Sequence, residues 1–153
     1  MAEYHSPWHS MRTGITDPDD NIWSYSDFRQ TVTVPLNDDT YTLGMWLYMQ
    51  SGELLTMQNA PEVVLRDTIL IGRPFSETVF SGDKQYLVVL NHYGYLIDTL
   101  MMTLEDNAGW VYREFDLSEY TGMTISLQWG THNNGIDGVS AMYVDDVTLQ
   151  QCP

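Results

Sequence analysis

Two adjacent carboxylates, Asp145 and Asp146, stand inside an otherwise strand-like stretch, Ala141 to Gln150 (AMYVDDVTLQ). Tyr143, Val147 and Leu149 alternate there with polar or smaller residues, the period of a strand with one buried face. That period turns Asp145 inward with Val147 and Leu149 and turns Asp146 the other way. A carboxylate carried inward is costly unless a cation or several hydrogen-bond donors meet it. The strand therefore either closes a sheet over a metal site or carries a hydrogen-bonded structural aspartate.

A second chemistry comes from aromatic rings. In Tyr41 to Gln50 the odd positions Tyr41, Leu43, Met45, Leu47 and Met49 form an apolar stripe, and the even positions include Trp46 and Tyr48. Two residues apart on one strand, these rings emerge on the same side, roughly 6.5–7 Å from one another. Either a second layer or the long loop that follows covers them, or they form a platform for a ligand. Rings of this kind stack on sugars, and amide or guanidinium groups beside them bind sugar hydroxyls. Gln128, Arg29 and Arg113 are the polar candidates.

Other constellations fall away. Asp17 to Asn21 (DPDDN) is an acidic turn, but counting from Asp17 the sixth position is Ile22 and the twelfth is Phe28, which excludes an EF-hand. His5 and His9 are four apart with Pro7 between them, and the glutamate of a zinc-protease helix is absent. Gly138-Val139-Ser140-Ala141-Met142 lacks the second glycine of a nucleophile elbow. His92 and His132 fall in expected turns, where histidine is ordinarily solvated. Glu114 and Asp116 are a carboxylate pair whose separation in space a sequence does not give. No glycine-rich phosphate loop or basic stripe occurs.

The elements that must position these residues are strands. Ser10 to Gly14 reads as a short strand, and Phe28, Gln30, Val32 and Val34 alternate with Arg29, Thr31 and Thr33 before Pro35. Ser51 to Asp83 is irregular and long for a connection, so a strand or short helix is expected around Asp67 to Ile71. Lys84 to Leu90 is apolar on both faces, as in a central strand, and Tyr95 to Thr103 returns beside it after the His92-Tyr93-Gly94 turn. Trp110 to Phe115 is a further strand. Thr124 to Trp129 alternates with Ile125, Leu127 and Trp129 inward, and His132 to Gly135 and Asp137-Gly138 supply turns. No long amphipathic helix is present. The chain reads as all-β, a two-sheet antiparallel β-sandwich.

Length and charge narrow the class. The 153 residues suit a single domain spanning 1–153. A net charge of −15 argues against nucleic acid and against anionic membrane surfaces, and suits divalent cations or plain solubility. No apolar run is long enough for membrane insertion, and the start does not read as a signal peptide. Cys152 is the sole cysteine, so an internal disulfide is excluded.

Several stretches taken together carry a family resemblance. They are HSPWHSMRTGI (His5 to Ile15), SYSDFRQTVTVP (Ser24 to Pro35), YTLGMWLYMQSGE (Tyr41 to Glu53) and WVYREFDLSEYTGMTISLQW (Trp110 to Trp129). The Asn-Asn-Gly turn at 133–135 and MYVDDVTLQQC (Met142 to Cys152) complete the set. The chain resembles the jelly-roll β-sandwich accessory domains of bacterial extracellular proteins, similar to carbohydrate-binding modules and to sandwich domains of secreted metallopeptidases. The resemblance implies a jelly roll, an extracellular or cell-surface location and a parent multidomain protein. It also implies one structural calcium held at Asp145, with Asp146 beside it. Such domains begin with a further strand bearing a Gly-Phe-Glu-like motif, and this chain starts just downstream of it.

The expected function is thus a noncatalytic carbohydrate-binding module with a polysaccharide or glycan partner. The alternatives are an accessory or interaction domain without glycan affinity and, more remotely, a small β-sandwich hydrolase.

Overall fold

Among the described residues, eight antiparallel strands divide equally between two sheets. In chain order they are β1 (Met11–Gly14), β2 (Trp23–Thr33), β3 (Thr40–Ser51), β4 (Lys84–Leu90), β5 (Leu96–Thr103), β6 (Val111–Asp116), β7 (Thr124–Asn134) and β8 (Ser140–Cys152). One sheet has the order β1-β8-β3-β6 and the other β2-β7-β4-β5. Every consecutive pair except β4 and β5 crosses from sheet to sheet, in the pattern of a jelly roll. The computed structural model describes residues 4–7, 9–53 and 71–153. The strand or helix expected around Asp67 to Ile71 lies outside them, Ile71 excepted.

The apolar stripes behave as their periods predict. Tyr41, Leu43, Met45, Leu47 and Met49 of β3 meet Ile125, Leu127 and Trp129 of β7 in the core between the sheets. The Trp129 indole N–H donates to the Met45 sulfur at 3.2 Å, so even this buried polar group is matched. Strand β4 is buried throughout, and from Tyr86 to Leu90 it is apolar on both faces because it serves two cores. Leu87 and Val89 enter the central one. Tyr86, Val88 and Leu90 face outward into a smaller cluster, closed by Phe75 and Phe80 from the segment before β4 and by Leu96 of β5.

Two strands depart from the expected bounds. Strand β7 continues past Trp129 to Asn134, which places His132 and Asn133 in the sheet, both fully buried. His132 is therefore a core residue and not a solvated turn histidine. Strand β2 starts at Trp23, five residues before the first position of the expected alternation.

The final strand holds a correction. Gly44 pairs with Thr148, whereas Trp46 pairs with Asp145, so Asp146 and Val147 together oppose Met45. This is a β-bulge, and Asp146 adopts φ 49° within it. A one-residue insertion flips every side chain beyond it. Asp145 is buried, as expected, but it lies with Trp46 on the outer face of the sheet. Leu149 pairs with Leu43 on the opposite side, and Val147 and Leu149 are half-exposed.

Candidate functional site

The outer face of the β1-β8-β3-β6 sheet carries Trp46 and Tyr48 side by side, but other residues cover them. The His5 imidazole stacks on the Trp46 indole with ring centroids 3.9 Å apart and planes 14° apart. Tyr112 packs beside Trp46, and Tyr48 packs against Trp110 and Tyr143. Both side chains are half-buried. Among the described residues the cover is made by His5, ahead of β1, with Trp110, Tyr112 and Tyr143 beside it.

Asp145 holds that cover in place. Its carboxylate accepts the backbone N–H groups of His5 (2.7 Å) and Ser6 (3.0 Å) on one oxygen and that of Asp146 (2.7 Å) on the other. The Ser6 hydroxyl adds a longer contact at 3.4 Å. His5 Nδ1 donates to Asp146 at 2.9 Å, and this bond, with Ser6, holds the Asp146 carboxyl below its ordinary range. Hydrogens point at both Asp145 oxygens, the surroundings of a structural aspartate. Among the described residues no group of three or more histidine, cysteine or acidic side chains is arranged to hold a metal.

The remaining sequence candidates separate. Arg113 pairs with Met45 across the strands, which turns it to the inter-sheet side, and its guanidinium binds Glu105 at 2.6 Å. Arg29 and Gln128 lie on the other sheet, directly paired between β2 and β7. Trp46 and Tyr48 thus share no site with Gln128, Arg29 or Arg113. Arg29 also borders a smaller recess of about 410 Å³ between β2 and β8, near Asp145 and Asp146.

Arg29 and Gln128 belong to an open groove of about 710 Å³ over the outer face of β2 and β7. The period of β2 sets Trp23, Tyr25, Asp27 and Arg29 in a row along that face. Pro74 to Val79, folded over β4 and β5, form one wall, and Tyr93 and Gly94 of the β4–β5 turn form another. Trp23 and Tyr25 are 53% and 41% exposed, and Tyr93 is 72% exposed. These rings are held from below. The His132 ring lies 4.5 Å from both Trp23 and Tyr25, and its Nδ1 donates to the Gly82 carbonyl at 2.9 Å. The Tyr25 hydroxyl reaches the Thr78 carbonyl at 3.4 Å.

The groove floor is polar. Gln128 is 3% exposed and Tyr86 is fully buried, the Tyr86 ring lying against Gly130 of β7. Burial pushes the Tyr86 phenol up, and the nearby Asp27 and Tyr25 reinforce the shift, so it stays a neutral hydroxyl. Gly130 is the glycine the site requires, because a Cβ there would sit 2.3 Å from the Tyr86 Cζ and hydroxyl.

Beside the His132 end of the groove lies a buried polar junction. Asp83 accepts the Asn134 N–H at 2.7 Å and the Ser140 hydroxyl at 2.6 Å, tying the start of β4 to the β7–β8 turn. Glu53, 5% exposed, comes from the end of β3. Burial, with Asp83 and Asp137 nearby, pushes the Glu53 carboxyl up to about 7. Burial raises Asp83 as well, against the bonds from Ser140 and Asn134 that favour its charge. Because of those bonds Glu53 is, of the two acids, the one more readily protonated.

Trp23, Tyr25, Asp27 and Tyr93 were absent from the sequence candidates. The signal for the first three was present: WSYSDFR places them at every second position, in phase with Arg29. Tyr93 had no such signal, since its place depends on how the β4–β5 turn meets the sheet.

No protein-family model matches the chain, and no curated protein matches it. Among solved structures the chain is similar to the carbohydrate-binding module TmCBM61, in complex with β-1,4-galactotriose. The TM-score is 0.46 and the identity 14%, over 98% of this chain and 92% of that one. It is also similar to the enzymatically active domain of tailspike protein 4 of bacteriophage CBA120, with a TM-score of 0.46 and 10% identity. That match takes in 94% of this chain and 18% of the other. Neither neighbour is a metallopeptidase, and neither likeness bears on which residues of this chain act.

Proposed function

We propose that the chain is a carbohydrate-binding module of a secreted or cell-surface protein, and that its site is the groove over β2 and β7. One observation carries the reading: exposed Trp23, Tyr25 and Tyr93 share an open groove with Asp27, Arg29 and Gln128. Aromatic faces offer apolar area to the C–H faces of sugar rings, and the carboxylate, guanidinium and amide match their hydroxyls. The groove is open along the sheet, which suits a chain of sugars better than an enclosed small molecule. Its described lining holds one carboxylate, Asp27, whereas glycoside hydrolysis by the common route needs two. Binding without turnover is the function this supports.

The test is retention of wild type, Trp23→Ala and Arg29→Ala in affinity gels containing soluble polysaccharides. Trp23 is half-exposed, so its loss should leave the melting temperature within a few degrees while weakening binding by at least ~10-fold. Binding that survives both substitutions would put the site elsewhere, and absence of binding to any polysaccharide would sink the reading.

A further inference from the structure

The groove floor contains polar atoms that the protein itself leaves unmatched. Gln128 Oε1 is buried with no partner in hydrogen-bonding geometry, and the buried Tyr86 hydroxyl has none beyond the neighbouring Gln128 amide. The two side chains are neighbours, and the Gln128 amide bears on the Tyr86 phenol. An amide offers two donor hydrogens and an acceptor oxygen, and one phenol satisfies only one end of it. Whichever end turns to Tyr86, the other is left over, on a side chain that lines the groove. A buried amide without its partners is costly to stability, so an amide left open toward a groove calls for a group that completes it.

Charge selects the ligand. Arg29 is the one cationic side chain among the described groove residues, and Asp27 is two positions away on the same face. The chain as a whole carries −15. A polyanion meets one guanidinium, one opposing carboxylate and a repulsive field. A neutral sugar meets donors and acceptors of both kinds. Sites built to hydrogen-bond a hydroxyl also discriminate strongly against analogues that lack it.

We propose that Gln128 is the specificity-determining residue of the groove, reading one ring hydroxyl of a neutral glycan, and that uronate and sulfated polysaccharides are excluded. This rests on the carbohydrate-binding reading above. Tyr86 acts here as a positioning residue, fixing the amide from below while Arg29 borders it from β2.

The experiment compares wild type with Gln128→Met, which keeps the length and removes the amide. The probes are neutral polysaccharides (a β-glucan, a mannan, a galactan and an arabinoxylan), polygalacturonate and dextran sulfate. Binding is expected to one or more neutral polymers and to neither anionic one, with at least a ~10-fold loss in folded Gln128→Met. Methyl glycosides of the recognised sugar, each lacking one hydroxyl, are then used as competitors. One of them should compete at least ~10-fold worse than the parent sugar with wild type, and no worse than the parent with Gln128→Met. A merely structural glutamine would not give that hydroxyl-specific difference. Should Gln128→Met fail to fold, equal competition by all the deoxy glycosides with wild type would still overturn the proposal. So would binding of polygalacturonate or dextran sulfate at neutral-polymer strength, or unchanged affinity in a folded Gln128→Met. If no polymer of any class binds, the carbohydrate reading itself falls.

Discussion

Trp46 lies beneath the imidazole of His5, the two rings stacked 3.9 Å apart, and so occupies a covered layer. Stacking of this kind fills the position a sugar ring would take on an open platform. Trp46→Ala should therefore lower stability by about 1–3 kcal/mol, less than a fully buried tryptophan, because the indole is half-buried. Polysaccharide retention by the folded variant should stay at the wild-type level. Thermal melting and an affinity gel, run on the same preparation, check both halves. Lost retention with normal melting would restore Trp46 to the site.

The bonds from Asp145 to His5 and Ser6 predict how that cover comes loose. Hydrogen bonds to a charged acceptor contribute about 1.5–3 kcal/mol each when broken in a buried setting. Asp145→Ala should release residues 4–7 from the sheet, lower the melting temperature and expose Trp46 to a fluorescence quencher. A chelator should leave the melting of wild type unchanged, since backbone N–H donors already meet both carboxylate oxygens. A rise in melting temperature with added calcium that Asp145→Ala abolishes would contradict this.

How far the sequence speaks is visible along β3 and β8. The alternation in Tyr41 to Met49 is uninterrupted, and each of those side chains is in the core. The alternation around Asp145 correctly implies burial but gives the wrong face beyond it, because a bulge at Asp146 changes the phase. Nothing local in AMYVDDVTLQ announces that insertion. The groove was half legible. Arg29 and Gln128 were candidates, yet they were joined to Trp46, since period 2 tells which residues share a face and not which sheet a strand enters. Arg113 was misplaced for the same reason, its face fixed by pairing with Met45.

The Glu53 carboxyl gives stability a pH dependence of definite sign. Its ordinary value is 4.5 and its folded value about 7, so between these the folded chain keeps a proton that the unfolded chain has released. Stability from this group is full below about pH 4.5, declines as pH rises toward about 7, and is level above. Asp116 and Asp146, held low by Ser118 and His5, act oppositely and lose their contribution as pH falls below about 3.8. Melting temperatures measured from pH 4.5 to 7.5 should fall in wild type and fall less steeply in Glu53→Gln, where Asp83, also raised by burial, keeps its own share of the slope. An equal slope in both proteins would show that the proton resides elsewhere.

Gly130 offers the most direct check on the groove floor. Alanine at a strand position ordinarily loses less chain entropy on folding than glycine does, so an unobstructed Gly→Ala change is neutral or mildly stabilising. Here the new methyl would meet the Tyr86 Cζ and hydroxyl at 2.3 Å and Cε2 at 2.7 Å. The ring has little room to yield, because Phe75 and Phe80 pack on it with centroids 5.3 and 5.6 Å away. Overpacking of this kind costs about 1–3 kcal/mol. Gly130→Ala should accordingly melt several degrees lower. Displacing the Tyr86 ring should also withdraw its support from Gln128, so glycan affinity should fall in the protein that remains folded, although Gly130 itself offers no side chain to a sugar. Stability and affinity both at wild-type levels would mean that the ring does not lie across the strand, and the floor of the groove would have to be redrawn.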